Sequence, residues 1–378
     1  MEKQNLIGMS LKELETFVES LGEKKYRGTQ LYSWIYGKGA ETFDEMSNIS
    51  EEFRILLNSL ATLGHLRLDS SNTSHDGTTK FLFQLSDGLA IESVLIPPDR
   101  KSPHAESRLT LCLSTQVGCP LDCKFCATGT MGFSRNLSAG EIISQVLQVQ
   151  RLSRRRITNL VYMGMGEPML NYDNVMKSVD IITDDGALNI GSRHITISTA
   201  GYADKIRQMA DENRKVKLAL SLHSLDNEKR ATLMPITKKF AVADLIEALE
   251  YYYRKTRNRP TFEYILFEGF NDTESDIRRF ELLARRIPSK VNIIPFHSIE
   301  FTHPSGFAAT LKPTPRSRTE AFADRLRKAN ITVMIRASSG EDINAACGQL
   351  AIEGTKKKRK ADLPPYDSPP GQIAVSSP

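Results

Sequence analysis

Cysteine is scarce in this chain, five residues among 378, and so few thiols in odd number do not make the disulfide framework of a small secreted domain. No uninterrupted apolar stretch approaches the roughly 20 residues that a membrane-spanning helix needs. The opening "MEKQNLIGMS" lacks the charged region followed by an apolar run that marks a secretory signal. Together these absences predict a cytoplasmic protein whose cysteines serve a metal or a reaction. A strong excess of one charge is missing too. The formal net charge is +5, and the run "KKKRK" at 356–360 carries that many positive charges by itself. An RNA partner would therefore meet local basic patches, for which "RLSRRR" at 151–156 and "RKTRNR" at 254–259 are candidates. Solvated helix faces and loops explain each run equally well when taken alone.

What is present is length enough for a large α/β unit with an appendage. In "SLKELETFVESLG", Ser10 is a helix N-cap with Glu13 three residues on, Leu14, Phe17, Val18 and Leu21 form an apolar stripe, and Gly22 is a stop. "GTQLYSWIYG" and "SEEFRILLNSLATL" predict further helices, so residues 1–62 form a helical accessory module. From 65 to 96 the period becomes two. Lys80 to Leu85 and Leu89 to Ile96 flank Asp87-Gly88, with another Asp-Gly at 76–77, which predicts a β-meander; with its linker this extension spans 63–104. Beyond residue 105 the strand candidates "RLTLCLS", "NLVYMG", "HITIST", "KLALSLH", "FEYILFE", "KVNIIPF" and "ITVMIR" alternate with helical patterns. That alternation predicts parallel βα units over 105–350 and a partial (βα)6 barrel of the triose-isomerase type, with a doubly wound open sheet as the alternative. Residues 351–378 are basic and then rich in Pro and Ser, and predict a disordered tail.

Four of the five cysteines fall in "CLSTQVGCPLDCKFCATG", and Cys119, Cys123 and Cys126 have the spacing C-x3-C-x2-C in the loop after the first barrel strand. Three thiolates that close suit a soft metal or a cluster. A structural zinc would want a fourth Cys or His nearby, whereas three ligands leave one position open, as in a cubane iron–sulfur cluster with one iron not held by cysteine.

This motif is the hallmark of radical S-adenosylmethionine (SAM) enzymes. With "VYMGMGEPMLNYDNV", "ITISTAG", "LALSLHS", "VNIIPFHS" and "DINAACGQL" following in order, the chain resembles the adenine-C2 RNA methyltransferase family, whose members modify 23S rRNA and some tRNAs. The resemblance spans about residues 10–350 and implies a 4Fe-4S cluster on Cys119, Cys123 and Cys126, and two SAM molecules spent per methylation. Carbon 2 of adenine is electron-poor and resists polar methyl transfer. The resemblance implies instead that Cys347 is methylated, that a 5′-deoxyadenosyl radical takes hydrogen from its S-methyl group, and that the resulting carbon adds to carbon 2. Glu92 then matches the proton acceptor, with Glu106 as rival, and Cys112 matches the resolving cysteine that opens the adduct through a disulfide with Cys347. Alternation in "RLTLCLS" sets Cys112 on the face opposite Leu111 and Leu113; the plainer reading is a small core cysteine. Gly340 and Gly348 flank Cys347 and predict a mobile loop.

For SAM, the resemblance carries over Gly164, Gly166 and Glu167 in "GMGEP" toward the methionine amino group, the glycines for close backbone approach. Ser198, Ser221, Leu222 and His223 would contact ribose and carboxylate. His297 stands where the family has Asn, and Ser339 where a basic residue is expected. The implied partners are 23S rRNA, tRNA and an electron donor of flavodoxin or ferredoxin type, acting on a monomer. Two other readings stay open: the sister enzyme that methylates carbon 8, and a zinc-clamped RNA-binding protein without catalysis.

Overall fold

The structure, a computed structural model, describes residues 3–98, 108–336 and 339–352. Most of the linker, with Glu106, and most of the tail, with its basic run, lie outside the described residues. The chain opens with β1 (Gln4–Asn5), α1 (Leu11–Ser20), α2 (Tyr26–Tyr32), α3 (Glu51–Leu60) and β2 (Ala61–Thr62). Ser10 and Glu13 form the predicted capping box on α1, the Ser10 N–H donating to Glu13 Oε2 at 2.7 Å. Leu14, Phe17 and Val18 turn inward. α2 gives way to a π-helical segment, Ser33–Lys38, that ends at left-handed Gly39. β1 and β2 pair in parallel, a contact too short to leave a periodic signal.

The meander is β3 (Arg67–Thr73), β4 (Thr79–Gln84) and β5 (Ala90–Ile96). Both Asp-Gly pairs turn as expected: Asp76 and Asp87 accept the N–H two residues on, from Thr78 and Leu89, and Gly77 and Gly88 have φ of 86° and 81°. Then come β6 (Thr110–Cys112), β7 (Gln116–Gly118), α4 (Ala127–Thr130), β8 (Phe133–Asn136), α5 (Ala139–Ser153), β9 (Asn159–Tyr162) and α6 (Tyr172–Thr183). β10 (Ile195–Thr199), α7 (Ala203–Asp211), β11 (Lys217–Ser221), α8 (Asn227–Leu233) and α9 (Val242–Thr256) follow. The series closes with β12 (Thr261–Leu266), α10 (Glu274–Arg286), β13 (Lys290–Pro295), α11 (Arg316–Lys328) and β14 (Thr332–Ile335).

One sheet runs in the order β14-β13-β12-β11-β10-β9-β6-β5-β4-β3. Its parallel part, β6 and β9 to β14, has strictly sequential neighbours. A doubly wound sheet would reverse direction at a switch point, so sequential order selects the barrel type. The parallel run holds one strand more than the six expected, because β14 adds to β13. Its far edge is taken by the antiparallel meander through β5 and β6, so the barrel stays open. Among the described residues, no helix is long and apolar enough to cross a membrane.

The N-terminal elements sit on α5 through two facing glycines. A side chain on Gly140 would strike the carbonyl of Ile7, and one on Gly8, whose φ is 100°, would strike the main chain of Gly140. Lys177 to Glu13 at 2.7 Å and Arg151 to Glu41 at 2.9 Å flank that contact. Gly140→Ala should therefore force the two backbones apart at a cost of about 1–3 kcal/mol. A lowered thermal midpoint, followed by circular dichroism at unchanged iron content, checks this; an unchanged midpoint would show that the contact yields freely.

Candidate active site

The chemistry-bearing residues gather at the C-terminal ends of the parallel strands. Beyond β7, the N–H of Cys119 donates to the Gly132 carbonyl, that of Cys126 to Cys123, and that of Lys124 to Leu233. This fixes a short loop that brings Cys119, Cys123 and Cys126 to one cavity. Burial pushes all three thiols above their ordinary pKa, so they hold their protons until a cation displaces them. Among the described residues, no three His, Cys, Asp or Glu side chains are grouped to hold a single metal ion. Three thiols sharing one cavity suit a cluster that takes each thiolate on a different iron.

Arg230 supports the same fit. Its guanidinium is fully buried and bonds the carbonyls of Leu222 and Ser221 at 3.0 Å each, the Ala200 carbonyl and the Thr237 hydroxyl. Those partners are neutral; burial pushes its pKa down to about 10 while Cys123 and Glu167 pull it back up. A buried cation beside Cys123 is a counter-charge for an anionic cluster.

The same cavity is lined by Gly164, Gly166, Glu167, Ser198, Ser221 and His223. The two glycines have a reason that spacing did not show. A side chain on Gly164 would meet the Leu113 carbonyl at 2.7 Å, and one on Gly166, with φ of 101°, would meet Gln116 at 2.5 Å. They let the loop after β9 lie against the chain leaving β6. Glu167 is buried there and accepts from Met169 N–H at 3.0 Å and Ala200 N–H at 2.7 Å, which ties that loop to the end of β10. Burial raises its pKa to about 7. Ser198 and Ser221 face each other at 3.5 Å. His223 Nδ1 accepts from Ile265 N–H at 3.1 Å; burial holds its pKa down to about 3. The imidazole is therefore neutral, with its proton on Nε2 as a donor. Leu222 departs from expectation: its side chain is in the core, its N–H goes to Glu263 and its carbonyl to Arg230.

A second cavity adjoins the first and is lined by Cys112, Cys347, His297, Ser339 and Arg336. Cys347 lines both cavities. Cys112 points inward from β6, and burial, then the nearby Cys347, pushes its pKa up to about 12. His297, expected at SAM, stands instead with the two thiols, its Nδ1 3.4 Å from Glu341. The Cys347 loop is not loose. Ser74 and the His75 N–H donate to Asp342, Gly340 N–H donates to Asp76, and beyond the cysteine the carbonyls of Gly348 and Leu350 accept from Ala127 and Thr128. One set of tethers comes from the meander and the other from the cluster loop. Glu92 lines a third cavity, of about 420 Å³, between the meander and the Cys347 loop. It is buried on β5 and paired with Lys80 at 3.0 Å.

Sequence patterning passed over Arg230, Arg336 and Lys80. Arg230 lies inside an ordinary helix and Lys80 alternates as an edge lysine would; only Arg336, the first residue past the last apolar strand, stands where barrel chemistry concentrates.

A parallel sheet of sequential order with three cysteines at its mouth is the architecture that the resemblance to radical SAM enzymes implied. The radical SAM superfamily pattern matches residues 113–280, and that of the ribosomal RNA large subunit methyltransferase N-terminal domain matches residues 4–63. The chain is 44% identical over 355 residues to the "Probable dual-specificity RNA methyltransferase RlmN" of Thermotoga sp. strain RQ2, covering 93% of this chain and 99% of that one. It is 42% identical to the protein of that name in Christiangramia forsetii, over 92% and 96% of the two chains. The crystal structure of a radical SAM methyltransferase from Sphaerobacter thermophilus superposes with a TM-score of 0.84 at 37% identity, covering 92% of this chain and 99% of that one. The chain belongs to the RlmN family of dual-specificity RNA methyltransferases. It is a SAM-dependent RNA methyltransferase with a 4Fe-4S cluster, and a non-catalytic zinc-clamped binder is set aside.

Replacing Cys119, Cys123 or Cys126 by Ala should abolish cluster assembly; wild-type iron and sulfide in any one variant would remove that cysteine from the ligand set. Arg230→Met should remove four hydrogen bonds, the Leu222 carbonyl keeping the Ser224 N–H, at about 1–3 kcal/mol for each acceptor left unpaired. Reduced iron retention together with weakened SAM binding checks it, and normal values for both would confine Arg230 to packing.

Proposed function

We propose that the enzyme methylates carbon 2 of an adenine in 23S rRNA, and of an adenine next to the anticodon in some tRNAs, through S-methylated Cys347. The observation that carries this reading is the position of Cys347, which lines both the cavity of the three ligand cysteines and the cavity of Cys112. A methyl carrier has to meet the methyl source on one side and the resolving thiol on the other, and Cys347 borders both.

Cys119, Cys123 and Cys126 would hold the cluster, and Gly166, Glu167, Ser198, Ser221 and His223 would line the SAM seat. When bound, cluster and SAM supply an electrophilic methyl group and the one-electron chemistry that removes a hydrogen atom from it. Two SAM molecules are spent per methylation in this reading, and a flavodoxin or ferredoxin supplies electrons to a monomer. The remaining steps belong to the chain. The Cys347 sulfur accepts the methyl group with displacement at carbon. The methylene that remains after hydrogen loss bonds to carbon 2, and the adduct gives up one electron, returned to the oxidised cluster, and its carbon-2 proton, which goes to Glu92. The Cys112 thiolate then attacks the Cys347 sulfur. The S–S bond forms, the C–S pair passes to the methylene, and protonation completes the methyl group. Register supports Glu92 in this role, since Val94 pairs with Cys112 and Glu92 follows on the same face. Residues 1–62 and the barrel rim share RNA recognition, the base being flipped out of its stack; residues 63–104 and 105–350 supply the base and the barrel, and 351–378 a basic tail.

Cys112→Ala should still be methylated at Cys347 and still form the adduct, but no thiol opens it, so the protein should purify with RNA covalently attached through Cys347. Isolation of this variant free of RNA with full turnover would overturn the two-cysteine cycle. Mapping the methyl group by mass spectrometry of the RNA product decides carbon 2 against carbon 8.

A further inference from the structure

The meander presents a second charged residue on the face that carries Glu92. Register sets Leu82 opposite Glu92 and Lys80 opposite Val94, so Lys80 and Glu92 are diagonal neighbours on one face of the sheet. Phe81, Phe83 and Ile91 pack on the other face. The Lys80 ammonium lies 3.0 Å from Glu92 Oε1 and donates to the Asn344 carbonyl at 3.2 Å. Both side chains are largely withdrawn from water, 13% and 6% exposed. One ammonium therefore touches a carboxylate fixed to the sheet and a main-chain carbonyl three residues before Cys347. Lys80, Glu92 and Asn344 all line the cavity of about 420 Å³, which Asn72 and Phe301 also border.

A lysine withdrawn from water loses hydration and rotamer freedom, and the ion pair and the loop carbonyl offset that loss. The arrangement also has a chemical consequence. A cation held against a buried carboxylate favours its ionised, basic form. We propose that Lys80 is a positioning residue for the methylation cycle: its ammonium keeps Glu92 ionised and sets that carboxylate against the Cys347 loop, so that base and methyl carrier face one carbon of the bound adenine. This rests on the reading of Glu92 as proton acceptor. In the step concerned the carbon-2–hydrogen bond breaks, the proton passes to Glu92 and the bonding pair stays in the purine ring. Lys80 acts through Glu92, which it contacts at Oε1, and takes no proton itself. The remaining tethers of the loop, through Asp76, Asp342 and Ala127, do not involve it, so Cys347 should reach its methyl source without it.

The test uses the full chain with reconstituted cluster, SAM and an RNA substrate, comparing Lys80→Met, Lys80→Arg and Glu92→Gln. Lys80→Met should keep wild-type iron content and wild-type methylation of Cys347, read by peptide mass spectrometry. Its RNA methylation should fall about tenfold or more, within the range a general base contributes. Covalent RNA on Cys347 should accumulate, as it should in Glu92→Gln. Lys80→Arg, which keeps a cation within reach of both partners, should recover turnover and lose the adduct. Full turnover by Lys80→Met without adduct overturns the proposal, and so does loss of Cys347 methylation in that variant, which would make Lys80 a support of the loop's fold. Glu92→Gln turning over freely would overturn the reading of Glu92 itself; accumulation of adduct in Glu92→Gln but not in Lys80→Met would sink the Lys80 proposal alone.

Discussion

Arg230 holds its charge in the core without a carboxylate in contact, and the mouth of the barrel is assembled around it. Its bonds to the carbonyls of Ala200, Ser221 and Leu222 stop β10 and β11 at fixed points. Glu167 makes the complementary link, from the loop after β9 to the main chain of Ala200. Cation and anion thus stitch three successive strand ends from opposite sides. Because main-chain groups buried away from water need partners, these side chains do work that a longer ladder would otherwise do, and they leave the strand-end side chains Ser198, Ser221 and His223 turned toward the cavity.

Against that stitched floor stands a segment held differently. The stretch from Gly340 to Leu350 is fastened by side-chain bonds to the meander turn at Ser74–Thr78 and by two bonds to the chain just past Cys126. Each such bond adds only about 0.5–1.5 kcal/mol net, and Ala345 and Leu350 are buried in the core, so tethers and packing together place the segment. Exposed Cys347 lies between the two groups of tethers. The role proposed for Cys347, serving two cavities in turn, needs a thiol held beside both and still exposed. The meander, which in the sequence looks like an appendage, contributes both the tethers and the pair of Lys80 and Glu92.

The order of elements was readable because each leaves a local mark: the capping box at Ser10 and Glu13, the Asp-Gly turns, the apolar strands alternating with helices. The three cysteines that share the first cavity were readable as a candidate donor set because C-x3-C-x2-C concentrates rare residues within eight positions of the chain. Other features left no such mark. The β1–β2 pair is too short to be periodic, and β14 was read as a strand without being counted into the barrel. His297 was read by its place in "PFHS" as a SAM contact, yet the chain beyond β13 turns it toward Cys112 and Cys347.

By itself the sequence determined most of the secondary structure, the parallel βα alternation and the cysteine motif, since these follow from periodicity, turn chemistry and spacing along the chain, while barrel against doubly wound sheet was left to the strand order. Only the tertiary structure decided which groups share a cavity. Cys112 and Cys347 are 235 positions apart in number, and Lys80 and Asn344 are separated by 264; distances of that kind are set by sheet register and strand order, which the local pattern of residues does not encode. The glycines show the same division. Gly164 and Gly166 line the first cavity, as expected of residues that admit a ligand, and they also let the chain close on the Leu113 carbonyl and the Gln116 side chain. What a missing side chain makes room for depends on which part of the fold comes to rest against it.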